Sequence, residues 1–232
     1  MCYHNTLSKI ALEVEQRYKA KFVTPELFQP VYHQSAFLFG SWPVITSEFK
    51  DIIQLFRWGL IPQWTKDIEN AEKVKAFNLN ARSETAFEKP SFAASIKYSR
   101  CLIPSTGFFE WKHEGKEKNP YYIYLKDQTI FSMAGIWASW VHKEKGHLYH
   151  TFSILTTGAN ELVGEIHNTK KRMPVILRPD KEKEWLSYNA DKGFIQEMLL
   201  PYPSEKMAAH PISKLITSKT QNNNVPEVLF PL

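Results

Sequence analysis

Residues 130–156, IFSMAGIWASWVHKEKGHLYHTFSILT, decide the fold class. The two ends of this stretch, residues 130–137 and 148–156, are short apolar runs rich in β-branched and aromatic side chains, which is typical of strands. The polar segment between them includes residues 143–146, which end in glycine and suit a hairpin link. The stretch therefore predicts an antiparallel pair of strands.

Similar short runs continue this pattern in both directions along the chain. They predict further strands at residues 52–60, 76–82, 100–103, 108–112, 121–125 and 174–177. A second hairpin link is predicted at Asp127 and Gln128, and helices are predicted at residues 7–20, 91–97, 159–165 and 181–188, the last capped by Asp180. Residues 22–44 have no clear period, and we expect them to wrap over the body of the fold. The fold class predicted is α+β, with a mainly antiparallel β-rich core and flanking helices.

Length and composition limit the classes of protein to which the chain can belong. The chain has 232 residues, 43% of them hydrophobic, which is enough for one domain over residues 1–232. No run approaches the roughly 20 apolar residues that cross a bilayer, and the first twenty residues lack the apolar centre of a signal peptide. We therefore expect a soluble, cytoplasmic protein that does not bind a membrane. The net charge of +5 and the seven tryptophans weakly favour a nucleic-acid partner.

The cysteines are Cys2 and Cys101, too few for a disulfide framework or a cysteine-rich metal centre. We expect no metal and no cofactor, and we expect Cys101 to be a buried strand residue. Cys2 is different, because removal of Met1 would leave an α-amine and a thiol on neighbouring carbons. The amine of such an aminothiol can attack an aldehyde to form an imine, and the thiol can then close a thiazolidine ring. At neutral pH a fraction of this α-amine is unprotonated, because its ordinary pKa is about 7.7 to 8.0. The position alone is equally compatible with an incidental cysteine.

Two strand segments carry further candidate residues. Residues two apart in a strand share a face, so Asn80 and Arg82 are predicted to point the same way, although a solvent-facing surface would give the same pattern. Their amide and guanidinium would suit a polar reacting group and a phosphate. Glu110 lies among Phe108, Phe109 and Trp111. A carboxyl group in such surroundings either has a raised pKa, which suits proton transfer, or forms a structural salt bridge.

His167 is the last candidate. It follows the predicted helix at residues 159–165 and precedes the basic residues Lys170, Lys171 and Arg172. Histidine titrates near neutrality and can act as an acid or a base, although this is one histidine of eight.

Six segments, in this order and spacing, resemble the SOS-response-associated peptidase (SRAP) family of abasic-site processing proteins. The segments are Met1-Cys2, WGLIPQW at 58–64, NARSET at 80–85, GFFEWK at 107–112, His167 with RMPVIL at 172–177, and HPIS at 210–213. The resemblance covers nearly the whole chain. It implies a compact, barrel-like α+β fold in which a basic groove for single-stranded DNA leads to the N-terminal cysteine.

The resemblance also implies a reaction. The family captures abasic sites, sugars that have lost their base and open to an aldehyde, as a covalent protein–DNA crosslink in the response to DNA damage. In this chain Cys2 would supply both nucleophiles, and Asn80 would hold the terminus and the sugar. Glu110 would assist proton transfer at the amine, and His167 would assist opening of the sugar ring. Strand cleavage by β-elimination from the imine would be a side activity.

The same resemblance implies DNA contacts. Arg82 would hold a phosphate, Trp64 would stack on the bases or wedge near them, and Arg172 would add a contact to the DNA backbone. The expected partner is single-stranded DNA that contains abasic sites, and the expected state of the protein is a monomer, associated with the nucleoid in a bacterium.

Three departures from the family pattern affect this transfer. Tyr3 and His4 follow Cys2 where the family commonly has Gly-Arg, so an arginine contact to DNA is absent. Four residues separate His167 from Arg172 where one is usual. Residues 30–43 lack the familiar Asn-x-Ala-Pro pattern.

Other functions compete with this interpretation. Cys2, Glu110 and His167 could serve a cysteine peptidase or amidohydrolase with an N-terminal nucleophile, an idea that the family name records. The protein could also be a non-catalytic module that binds single-stranded DNA. A metal site of Cys2, His4 and His33 is conceivable, but its spacing matches no standard ligand pattern.

Overall fold

The computed structural model describes residues 2–232. Its strands are β1 (His4–Leu7), β2 (Lys21–Phe22), β3 (Val31–Ser35), β4 (Ser41–Thr46), β5 (Ile52–Trp58), β6 (Asn80–Arg82), β7 (Arg100–Ser105), β8 (Gly107–Glu114), β9 (Glu117–Leu125), β10 (Phe131–Val141), β11 (Leu148–Gly158), β12 (Arg172–Pro174), β13 (Ile176–Leu177) and β14 (Met207–Pro211). Its α-helices are α1 (Ala11–Tyr18), α2 (Ile68–Phe77), α3 (Ala93–Tyr98), α4 (Glu161–Ile166), α5 (Glu182–Trp185) and α6 (Lys192–Glu197).

Five strands form a closed barrel. Strands β5, β4, β7, β10 and β11 pair in that order, each antiparallel to the next. A parallel pairing of Trp58 with Phe152 joins β5 to β11 and closes the ring. Closure satisfies the backbone groups that an edge strand would leave unpaired. The mainly antiparallel, barrel-like α+β prediction is therefore confirmed.

A second sheet, in the order β14-β9-β8-β1-β3, holds the N-terminal strand. Asn5 of β1 pairs with Phe108 of β8 on one side and with Gln34 of β3 on the other. Its side-chain Oδ1 accepts a hydrogen bond of 2.7 Å from Ser105 Oγ at the end of β7, which ties the sheet to the barrel. Because β1 and β8 are antiparallel, residues before Asn5 lie beside residues after Phe108, and Cys2 therefore lies beside Glu110.

The predicted helix at residues 7–20 begins too early. Residues 4–7 form β1, in which Leu7 is fully buried and pairs with Val31. Helix α1 begins only at Ala11. The apolar side chains of Leu7 and Ile10 fit a helical period by coincidence, because Leu7 belongs to a strand and Ile10 is exposed.

The predicted strand at residues 76–82 is correct only at its end. Asp67 caps α2, its Oδ1 accepting from the Asn70 backbone N–H at 2.8 Å, and the helix continues to Phe77. Phe77 is 85% exposed, so its alternation with Leu79 does not reflect a strand. Helix α2 was not predicted.

The predicted hairpin links and the predicted helix cap agree only in part with the structure. The link at residues 143–146 joins β10 to β11 as a hairpin, as predicted, but Asp127 and Gln128 connect β9 of the second sheet to β10 of the barrel and form no hairpin. Asp180 lies in a 3-10 turn and accepts hydrogen bonds from Arg178 instead of capping α5. Residues 22–44 include β3 and most of β4, so part of this segment belongs to the sheets.

Candidate functional site

Cys2 lies buried at the N-terminal edge of β1, with 2% of its surface exposed. Its backbone carbonyl accepts a hydrogen bond of 3.1 Å from Asn80 Nδ2, and its thiol contacts the carboxyl group of Glu110. Burial, and then the proximity of Glu110, raise the pKa of the Cys2 thiol well above its ordinary value. The thiol is therefore protonated at neutral pH. The expected removal of Met1 lies outside the described residues.

Strand β6 positions Asn80 and Arg82. It pairs in parallel with β11, where Asn80 lies opposite Ile154, and the Trp58 indole N–H donates to Leu79 O at 2.8 Å just before it. Asn80 is 8% exposed, and among residues 2–232 its Oδ1 has no hydrogen-bond partner. Arg82 is exposed. Burial raises the pKa of the Tyr3 phenol, whereas Arg82 and a hydrogen bond with Asn80 each lower it, so both side chains lie near Tyr3.

Glu110 is carried by β8 and is 4% exposed. Burial raises the pKa of its carboxyl group from 4.5 to about 8, because a charged carboxylate is poorly solvated there. Its Oε1 lies 3.5 Å from Nδ1 of His167. Of the two alternatives left open for this residue, the structure has the carboxyl group with a raised pKa and not an arginine salt bridge.

His167 terminates α4, whose N-terminus is capped by Asn160 through a 2.9 Å bond from the Val163 N–H. The imidazole is buried, and burial lowers its pKa to about 4. Its Nδ1 donates to the Arg172 carbonyl at 2.9 Å, and because a carbonyl only accepts, the lone pair lies on Nε2. At neutral pH His167 and Glu110 are both mainly uncharged, so their contact is not an ion pair.

The residues that lengthen the spacing between His167 and Arg172 form a turn that is hydrogen-bonded to strand β8. Lys171 adopts a left-handed backbone conformation (φ 48°), and its N–H donates to His167 O at 2.8 Å, which turns the chain back. The Asn168 side chain accepts from the His113 N–H at 3.1 Å and donates to the His113 carbonyl at 2.8 Å. His113 belongs to β8, so the additional residues fix the end of α4 against the strand that carries Glu110.

The structure places Trp64 away from Cys2, whereas Arg172 lies near enough to oppose, in small part, the rise in the pKa of the Cys2 thiol that burial and Glu110 cause. The Arg172 guanidinium binds both carboxylate oxygens of Glu84 and donates to Thr156 O at 2.6 Å. Trp64 is 59% exposed and lines a separate depression together with Tyr98. Asn80 and Glu110 thus contact Cys2, and His167 adjoins Glu110. Arg82 lies at the edge of this group, the Arg172 guanidinium is engaged by Glu84 and Thr156, and Trp64 lies apart.

A cavity of about 720 Å³ opens next to this group and is lined by both Glu110 and His167. Other side chains that line it were not predicted as site residues, namely Tyr3, His4, His33 and Trp111. Tyr3 and His4 could have been found as neighbours of Cys2, and Trp111 as the neighbour of Glu110. The sequence suggested His33 only as a conceivable metal ligand with Cys2 and His4, and the pairing of β1 with β3 is what brings it to this cavity. No group of three side chains within residues 2–232 is arranged to hold a metal ion.

Comparisons with known proteins agree on one family. A family model described as SOS response associated peptidase (SRAP) matches residues 1–219. The chain is 44% identical over 175 residues to the abasic site processing protein YoqW of Bacillus subtilis (strain 168), covering 75% of this chain and 74% of YoqW. It is 32% identical over 201 residues to the abasic site processing protein HMCES of Gallus gallus, covering 78% of this chain and 58% of HMCES.

The fold is also similar to solved structures. A crystal structure of a protein from Bacteroides thetaiotaomicron superposes with a TM-score of 0.94 at 43% identity, and the match covers 100% of both chains. A protein from Bordetella bronchiseptica superposes with a TM-score of 0.78 at 24% identity over 91% of this chain and 100% of that one, which indicates a shared fold. In the part of the chain that the structure describes, every helix is too short or too polar to cross a membrane.

Proposed function

The chain belongs to the SOS response associated peptidase (SRAP) family, and from that premise we propose that it binds single-stranded DNA and captures abasic sites by covalent attachment to Cys2. The observation that carries this proposal is the burial of Cys2 against Asn80 and Glu110, with His167 3.5 Å from Glu110, because all three groups suit aldehyde chemistry. The relatives named as abasic site processing proteins support the same substrate.

The protonation states favour a definite order of bond formation. The Cys2 thiol is protonated, so the α-amine exposed by removal of Met1 is the first nucleophile. It adds to the aldehyde carbon to give a carbinolamine, and its proton passes to the former carbonyl oxygen. Glu110, protonated near neutral pH, donates a proton to that hydroxyl as it leaves as water. The resulting protonated imine keeps its N–H, sulfur attacks its carbon while the thiol proton passes to the Glu110 carboxylate, and the products are a thiazolidine and one water.

Asn80 and His167 act on the sugar. The unpartnered Oδ1 of Asn80 can accept a hydrogen bond from a sugar hydroxyl while Nδ2 keeps the Cys2 backbone in place. Nε2 of His167 carries the lone pair, so it can take the proton of the C1′ hydroxyl when the closed sugar ring opens to the aldehyde. Arg82, exposed at the edge of the group, binds a neighbouring phosphate, and Trp64 and Arg172 contact the strand farther away. β-Elimination from the imine is a side reaction.

A peptidase that acts through a thiolate paired with an imidazolium is less compatible with the protonation states of this site. Such enzymes need a thiolate paired with an imidazolium. Here burial raises the pKa of Cys2 and lowers that of His167, so both groups are held neutral.

The decisive experiment incubates the protein with a single-stranded oligonucleotide carrying one abasic site. We expect a heat-stable adduct whose mass equals the protein without Met1 plus the oligonucleotide minus one water. Cys2→Ala should abolish the adduct and keep DNA binding, whereas the matched variant Cys101→Ala should form it normally. Peptide hydrolysis without an adduct would support the peptidase, and DNA binding by a wild-type protein that never crosslinks would support a binding module.

A further inference from the structure

Two histidines and a tryptophan line the cavity beside Glu110. His4 Nδ1 and His33 Nε2 lie 2.8 Å apart and share a hydrogen bond, and their rings lie side by side in nearly one plane, with centroids 5.1 Å apart and an angle of 8° between the planes. The Trp111 ring meets His4 nearly edge-on at 4.6 Å. These three rings form an aromatic wall, which we call the His4–His33–Trp111 wall, in the same cavity as Glu110 and His167.

The histidine pair is uncharged at neutral pH. Burial, together with the neighbouring His33, lowers the pKa of His4 to about 3, and burial also lowers the pKa of His33. A neutral imidazole has one N–H donor and one acceptor nitrogen. Because the pair uses one of each for its internal bond, its two remaining nitrogens are always one donor and one acceptor. Moving the protons between the rings exchanges which histidine offers which.

The end of the chain supports this wall. Asn224 Oδ1 accepts from the backbone N–H groups of Tyr32 and His33 at 2.7 and 3.1 Å. Asn223 also lines the cavity. Its side chain lies next to the buried Nδ1 atom of His33, and among the described residues this atom makes no well-formed hydrogen bond. Both asparagines lie beyond residue 219, where the family match ends. Both ends of the chain therefore shape the cavity, Tyr3 and His4 near one terminus and Asn223 and Asn224 near the other.

We propose that the cavity beside Glu110 is a nucleobase subsite, which holds the base of the nucleotide adjoining the abasic sugar against the His4–His33–Trp111 wall. This inference rests on the proposed function, because the base reaches the cavity as part of the strand whose sugar reaches Cys2. Continuity carries the argument, since Glu110 both lines the cavity and contacts the Cys2 thiol, and His167 lines the cavity 3.5 Å from Glu110. An unpaired base offers a flat face for stacking and an edge of donors and acceptors, which this wall matches.

The wall favours a base over a phosphate. The two neutral imidazoles and the indole carry no positive charge, and Lys118 is the one lysine or arginine among the described residues that line the cavity, whereas phosphates are bound mainly by arginine, lysine and oriented N–H groups. His4 occupies the position where the family commonly has arginine, so the substitution exchanges a cation for an aromatic ring. Because proton exchange within the pair lets His4 Nε2 act either as donor or as acceptor, the subsite accepts any of the bases.

The test uses oligonucleotides with a tetrahydrofuran abasic analogue, which has no aldehyde and isolates binding from crosslinking. The fluorescent base 2-aminopurine is placed on the 5′ or the 3′ side of the analogue, and a matched oligonucleotide lacks that base. We expect quenching at one of the two positions. We also expect roughly tenfold weaker binding when that base is missing, the scale of one stacked base.

Two variants and one control complete the design. His4→Arg, which places the common family residue in the cavity, and Trp111→Leu should each abolish the quenching and reduce the effect of the missing base to less than about twofold. His147→Arg adds the same charge on the exposed β10–β11 hairpin and should behave as wild type.

Failure of this inference is separable from failure of the proposed function. A wild-type protein that crosslinks a true abasic site but neither quenches 2-aminopurine at either position nor discriminates the missing base would refute the subsite alone. Unchanged quenching in both His4→Arg and Trp111→Leu would refute it as well. A protein that neither binds nor crosslinks abasic DNA would refute the proposed function, and the subsite with it.

Discussion

Glu110 illustrates how the fold changes the chemistry of a single residue. Strand β8 places its carboxyl group among Cys2, His167 and apolar neighbours, where desolvation outweighs every favourable contact and raises its pKa to about 8. The group therefore holds a proton at the pH at which an ordinary glutamate has lost it. That proton is what the dehydration of a carbinolamine requires.

The raised pKa predicts a pH-dependent gain in stability for Glu110→Gln. In the folded protein the carboxyl group ionises near pH 8 instead of 4.5, so the stability linked to its proton is complete below about pH 4.5 and is lost as the pH rises to about 8. Glutamine cannot ionise. We expect the free energy of unfolding of the variant, relative to wild type, to rise by several kcal/mol between pH 5 and pH 9, since one pKa unit corresponds to about 1.4 kcal/mol.

Urea denaturation across this pH range measures the effect, and Glu144→Gln in the exposed hairpin turn is the control, for which we expect no change. The same Glu110→Gln protein should crosslink abasic DNA about 100-fold more slowly, because general acid catalysis is lost. A stability difference independent of pH would contradict the buried, protonated carboxyl group.

The two arginines near the site predict different salt dependences. Arg82 is exposed, whereas the Arg172 guanidinium is engaged by Glu84 and Thr156. A phosphate contact contributes through counterion release, so Arg82→Ala should reduce the slope of log binding constant against log salt concentration by about one. Arg172→Ala should change that slope less and should instead lower the melting temperature, because Glu84 loses its partner. Equal slopes for Arg82→Ala and wild type would remove Arg82 from the DNA interface.

At the level of elements, the sequence pattern predicted those strands and turns whose signals lie within a few consecutive residues. The long strands β10 and β11 and their hairpin were predicted because apolar runs and turn residues are encoded within a few positions. Strand β1 was missed because its pairing partners, β3 and β8, are far away in the sequence, and the apolar period of Leu7 and Ile10 imitates a helix. The sequence and its resemblance named Cys2, Asn80, Glu110 and His167, but they did not predict the cavity wall, since His33 reaches it only through tertiary pairing.

Strand β6 provides an element-scale prediction. It has only three residues, and the Trp58 indole N–H donates to Leu79 O immediately before it. Trp58→Phe removes this bond and leaves Leu79 O with only the long bond of 3.4 Å from the Ile154 N–H, at a cost of about 1 kcal/mol. Asn80 should then be held less firmly, so we expect slower crosslinking at a temperature where the variant is fully folded.

A matched variant separates this effect from general destabilisation. The indole N–H of Trp185 donates to Cys101 O at 2.9 Å in a part of the barrel that holds no site residue. Trp185→Phe should lower stability by a similar amount and leave the crosslinking rate unchanged. If both variants slow crosslinking equally, the bond from Trp58 has no specific role in positioning Asn80.

At the scale of the whole molecule, the C-terminal segment is connected to the site through a small second core. Phe109, the residue before Glu110 on β8, packs with Ile212, Ile216 and Val228, and all four are buried. Successive residues of a strand face opposite sides, so Phe109 secures β8 from one face while Glu110 meets Cys2 on the other. The chain end thus supports the strand that carries the acid.

This connection predicts a distant effect of Val228→Ala. The side chain is fully buried, and its truncation should cost about 2 kcal/mol. Because Val228 packs with Phe109, we expect faster amide hydrogen exchange in β8, measured by mass spectrometry, together with slower crosslinking, whereas exchange in β10 and β11 of the barrel should change less. Leu232→Ala is the control, since that side chain is 83% exposed and should alter neither property. Uniformly faster exchange across both sheets would mean that Val228 stabilises the molecule as a whole and does not act on β8 in particular.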